Sequence, residues 1–175
     1  MNGTASAPGP FQDPLVGRIT GFLLSIGVPV VRAATLERTF LPGIEVRSGV
    51  IIIDEIKLLY PGDLLHEAGH LAMLAPSQRT RAQAHLGDDG GFEMAAIAWS
   101  YAAAVYLGLP PAVVFHDAGY RGGSGSLLEN FAAGRYVGVP MLEWAGLTLG
   151  ETRAKALGIE PYPAMLRWVR EEPGL

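Results

Sequence analysis

The chain reads as an α+β fold, a small antiparallel sheet packed against several helices, and three observations predict it. Apolar residues recur at helical spacing in several separate stretches. Two short β-branched runs, residues 44–47 and 50–54, flank Ser48-Gly49, which is a hairpin signal. The 175 residues, 49% apolar and 17% charged, are also enough for one domain with a sizeable core, and that balance excludes a disordered chain.

The elements follow in order. Residues 1–14 carry Gly, Pro, Ser and Thr without a basic or continuously apolar stretch, so they read as a flexible tail before a single domain over 15–175. Asp13 and Pro14 suit an N-cap and a first helical residue, and Leu15, Ile19, Phe22, Leu23 and Ile26 then share one face as far as Gly27. Residues 28–32 read as extended. Pro61-Gly62-Asp63 opens a second helix that runs to about Ala75 and stops at Pro76. Residues 79–91 are polar and Gly-containing, a loop or a short helix.

Residues 92–107 form a strong Ala-rich helix ended by Gly108 and Pro110. Residues 111–115 make a single turn, and 117–125 (DAGYRGGSG) a glycine-rich loop. Residues 126–136 and 164–170 are further predicted helices, the latter with Met165, Leu166 and Val169 on one face.

Composition removes several function classes. Thirteen basic against 17 acidic residues give a net charge of −4, so no cationic excess exists to neutralise phosphates and nucleic acid is not an expected partner. Zero Cys excludes disulfides, Fe–S ligation, thiolate nucleophiles and Cys-bound zinc. Residues 94–115 are uncharged, but Pro110 and Pro111 split them. The remaining run falls short of the roughly 18–20 residues a membrane span needs, so a buried helix in a cytoplasmic protein is expected. Low charge density with a mean hydropathy of +0.25 leaves a homo-oligomer as a hypothesis.

The sharpest feature is His66-Glu67-Ala68-Gly69-His70, an HExxH run on the second helix. Positions i and i+4 share a face, so both imidazoles can reach one metal at about 2.0–2.1 Å. Glu67, one position on, points beside the metal and suits a general base toward its water. A catalytic zinc needs a third protein ligand and an open position. Glu93 is the candidate, being the single charged residue from 90 to 115, in the first turn of an otherwise apolar helix. Asp88, Asp89, His85 and His116 are the rivals.

HExxH on one helix, followed after a loop by a Glu opening a second, resembles the gluzincin branch of zincin metallopeptidases, with ImmA/IrrE-type domains closest in size and order. The resemblance rests on His66, Glu67, His70 and Glu93 and covers the middle third of the chain. It implies that the two His and Glu93 bind zinc, that Glu67 activates water, and that a strand edge beside the helix receives an extended peptide. Phe92 stands where larger gluzincins carry Asn. The Cys ligand of peptide deformylase is missing, and Met73 and Pro76 occupy the Gly and His slots of a metzincin.

Supporting roles fall to the Gly-rich loop. Tyr120 first and His116 second are the expected donors to a developing oxyanion, with Arg121 beside them. Asp54, Asp117 and Glu129 are candidates to orient the histidines. The expected function is therefore zinc-dependent hydrolysis of a peptide or protein substrate, with residues 50–53 as the cleft wall. The alternatives are a non-catalytic zinc-binding regulatory or partner-binding module and a helical domain without metal. Two His and a carboxylate also suit Fe(II), Co or Mn.

Overall fold

The computed structural model describes residues 10–83 and 90–172. Helix α1 (Pro14–Ser25) starts as its sequence dictates: Asp13 caps it, accepting from the Leu15 N–H at 2.7 Å, and Pro14 opens the first turn. Val16, Ile19, Phe22 and Leu23 form its buried face.

Strands β1 (Val30–Arg32), β2 (Ile44–Arg47) and β3 (Val50–Ile53) make one sheet in the order β1-β3-β2. The predicted hairpin is present, with Arg47 opposite Val50, and Ser48 and Gly49 take the two positive φ values, 51° and 76°, that a type I′ turn requires. The architecture is α+β, but the sheet is mixed rather than antiparallel throughout, because β1 runs parallel to β3 with Val30 opposite Ile51. Residues 33–43 give the chain enough length to pass β3 before it turns back as β2. β3 is therefore central, and Ile51 and Ile53 are fully buried.

The core is organised by α2 (Asp63–Met73) against α4 (Gly90–Tyr106), with the short α3 (Pro76–Arg79) following α2. Leu64, Leu65, Ala68, Leu71 and Ala72 bury one face of α2 completely, and Ala95, Ala96, Ala98, Trp99 and Ala103 answer from α4. Gly69 lets the two backbones meet, since a Cβ there would lie 3.0 Å from the Ala96 Cα. Among the described residues no helix is long and apolar enough to cross a membrane.

The C-terminal third was less predictable. Residues 126–136 were expected as one helix; α5 (Ser124–Ala132) is shorter, and α6 (Val139–Trp144) and α7 (Glu151–Leu157) follow it. Residues 164–170 are not helical. Met165 bridges Thr148, the Leu166 N–H bonds Leu147, and the Arg170 N–H bonds Ala72, so this backbone is committed to neighbours rather than to itself. The segment lies over the core, where the Trp99 Nε1–H donates to the Trp168 carbonyl at 2.8 Å.

Candidate metal centre

The four motif-bearing side chains come from the two tightest-packed helices. His66 and His70 lie one turn apart on α2 and turn their Nε2 atoms toward each other, 3.1 Å apart. Glu93, in the first turn of α4, reaches both: its two oxygens lie 3.4 Å from His66 Nε2 and 3.2 Å from His70 Nε2. The close approach at Gly69 and Ala96 makes this reach possible, because Ala96 lies one turn beyond Glu93. These three residues could hold a metal ion.

The separations test the fit. Tetrahedral bonds of about 2.0–2.1 Å set neighbouring donors about 3.3–3.4 Å apart. The two nitrogens, 3.1 Å apart, are near that spacing, and Glu93 turns a different oxygen to each of them, at 3.4 and 3.2 Å; taking one ligand atom from each residue, the three lie within 4.8 Å of one another. Two imidazole nitrogens and one carboxylate are also a donor set suited to zinc.

The charges are strongly coupled. Burial acts to lower the His66 pKa, but the hydrogen bond and charge of Glu93, with Glu67 and Asp63 behind it, prevail and raise it. Hydrogen bonds from His66 and then His70 hold the Glu93 carboxyl far below the usual carboxylate range, against a smaller opposing effect of burial. Glu67 is pushed up, chiefly by burial, although the neighbouring histidines pull the other way.

The loop after α4 supplies the facing wall. His116 lines the same cleft, with its Nε2 2.9 Å from Asp63 Oδ1 and its ring stacked on Tyr60 at 3.9 Å. Tyr120 sets its hydroxyl 3.3 Å from His66 Nδ1. Burial, then the charges of Asp63 and Glu93, raise the phenol's pKa, with only the Ser100 hydroxyl favouring ionisation, so it stays protonated. The buried Ser124 hydroxyl pins this loop by donating to the His116 carbonyl at 2.6 Å. Tyr120 and Arg121 have φ values of 55° and 51°, a left-handed backbone that costs a non-glycine residue roughly 1–2 kcal/mol.

His66, Glu67, His70, Glu93, His116 and Tyr120 thus surround one cleft of about 1070 Å³. A second groove of about 510 Å³ joins it at Phe40, Leu41 and Glu67 and runs along β2. The wall is not residues 50–53, since β3 is paired on both sides. The outer edge of β2 carries isolated bridges at Ile44 and Arg47, and Glu45 and Val46 lie between them.

Other candidates fall elsewhere. Asp54 is buried but serves the backbone N–H groups of Leu36, Ile56 and Lys57. Asp117 and Glu129 are exposed, while His85, Asp88 and Asp89 lie outside the described residues. His70 Nδ1 is buried without a hydrogen-bond partner among the described residues. Asp63 and Tyr60 escaped the sequence reading. The available signal was the place of Asp63 one turn ahead of His66 on the same helix face.

The chain matches no protein-family model, no curated protein and no solved structure.

Proposed function

We propose that the protein is a zinc-dependent hydrolase of gluzincin type that cleaves a peptide or amide bond. The observation that carries this reading is the convergence of His66, His70 and Glu93, whose ligand atoms lie within 4.8 Å of one another, with Glu67 lining the same open cleft. A zinc ion held by His66, His70 and Glu93 would supply Lewis acidity and bring the pKa of a water toward neutrality.

On this reading Glu67 would take a proton from a water as the water's oxygen bonds to the carbonyl carbon, and would deliver that proton to the leaving nitrogen as the C–N bond breaks. Burial, which raises its pKa above the ordinary carboxylate value, favours a group that accepts a proton and later releases it. Tyr120, protonated and facing the cleft, is the first donor to the carbonyl oxygen. His116 is the second, because its Nε2 must first leave Asp63. A cleft continuous with a groove along an outer strand suits an extended peptide better than a compact small molecule.

The test compares wild type with Glu67→Gln after zinc loading, using elemental analysis and an unbiased peptide library. About one zinc per chain is expected in both. Turnover should fall at least about 10²-fold in the variant. Equal turnover would overturn the role of Glu67. Bound zinc without any cleavage by wild type would leave a metal-binding module instead of an enzyme.

A further inference from the structure

The glycine-rich loop does more than border the cleft. Its His116 and Tyr120 grip Asp63 and His66, two residues one turn apart on the metal-facing side of α2. His66 has two ring nitrogens with different tasks. Nε2 points at His70 and Glu93, whereas Nδ1 points at the Tyr120 hydroxyl, 3.3 Å away, with the two rings edge to face at 84°.

We propose that Tyr120 is the positioning residue for His66: its phenol oxygen accepts the Nδ1 proton and so fixes the tautomer and ring orientation in which the Nε2 lone pair faces the metal position. The inference rests on the metal reading above and adds a task for Tyr120 that operates before any substrate arrives. Without an ion, His66 Nε2 faces the Glu93 carboxylate; a metal-bound imidazole instead gives its Nε2 lone pair to the ion and keeps its one proton on Nδ1, so an acceptor at Nδ1 favours the tautomer that binds. Metal-binding histidines are ordinarily tuned in this way by a carboxylate or carbonyl. Here a phenol fills that place.

Three features of the chain agree. Tyr120 is held in a left-handed backbone conformation although glycines lie immediately before and just beyond it, so its side chain is kept where glycine would fit more easily. Its ring packs edge to face against the buried Phe115, which holds the ring in place. Ser124 ties the loop backbone at His116 and Gly119, which limits how far Tyr120 can move away. The phenol also retains its own O–H after accepting from His66, so holding the ligand does not remove it as a donor to substrate.

The experiment uses full-length Tyr120→Phe, with Tyr162→Phe as the control. Tyr162 also loses a buried hydroxyl, one that donates to the Ala98 carbonyl at 2.8 Å, but it has no bond to His66. Zinc affinity is read by chelator competition, and the His66 ring protons by ¹H–¹⁵N NMR, with and without zinc. Tyr120→Phe should weaken zinc binding about 10–100-fold. It should also expose the His66 Nδ1–H to rapid solvent exchange, whereas Tyr162→Phe changes neither. The proposal is overturned if Tyr120→Phe binds zinc as tightly as wild type, if both variants weaken it equally, or if Nδ1 carries no proton in wild type. Should wild type show the protected Nδ1–H yet take up no zinc, the metal reading falls while the Tyr120–His66 bond stands.

Discussion

The two walls of the cleft are built on opposite plans. One is regular: α2 and α4 meet through alanine and glycine, and their side chains bring three ligand atoms within 4.8 Å of one another. The other is an irregular loop with two consecutive left-handed non-glycine residues, pinned by one buried serine and by side-chain bonds to α2. The contrast separates two requirements. Donor spacing needs rigid elements and little side-chain bulk, whereas orienting individual rings needs particular groups in places that regular structure does not reach.

The largest effect is expected where the turn before α6 presses on α4. Gly138 has φ 78°, and a Cβ there would lie 2.0 Å from the carbonyl oxygen of Met94, which follows Glu93 in α4. Gly138→Ala should cost at least about 2 kcal/mol in denaturant unfolding. By shifting the turn that carries Glu93 it should also weaken zinc binding. A loss of stability with unchanged zinc affinity would show that α4 and the donor set are not coupled as described.

A smaller change is expected from the loop. Ser124→Ala removes the donor to two carbonyls, at His116 and Gly119. It should cost about 1–2 kcal/mol while zinc stoichiometry stays at that of wild type. Loss of zinc in this variant would mean that the loop helps to hold the metal donors apart, erasing the distinction between the walls.

The smallest effect lies outside both. Asp54 anchors residues 36, 56 and 57, and the Leu36 N–H is the main reason its pKa is lowered, with burial opposing. A depressed carboxylate contributes stability above its unfolded value, near 3.8, and loses that contribution as pH falls through the lower folded value. The stability of wild type should therefore decline more steeply below about pH 4 than that of Asp54→Asn, in thermal melts across pH 2–6.

Legibility in the sequence follows the same division. His66, Glu67 and His70 could be read together because helical periodicity alone sets their relation, and Glu93 because it is the one charge in an apolar helix. The hairpin was legible from Ser48-Gly49 for the same local reason. Its place in the sheet was not, since the parallel pairing of β1 depends on a crossover that no local pattern encodes. Tyr120 could be named as a loop aromatic, but not its bond to His66, which joins residues 54 apart in sequence. The segment around Met165 and Leu166 misled because its apolar spacing imitates a helix while its N–H groups belong to other partners.

One position inside the HExxH run, nominally interchangeable, turns out to be dimensioned. Gly69 sets how near the axis of α4 can come, and the two methylenes of Glu93 then span the remainder to both nitrogens. A methyl at the first site would press α4 away by a few tenths of an ångström, and one methylene fewer at the second would shorten the arm that reaches across, so the two act on the same gap from opposite ends. The gap between the helices and the length of the carboxylate arm are a matched pair.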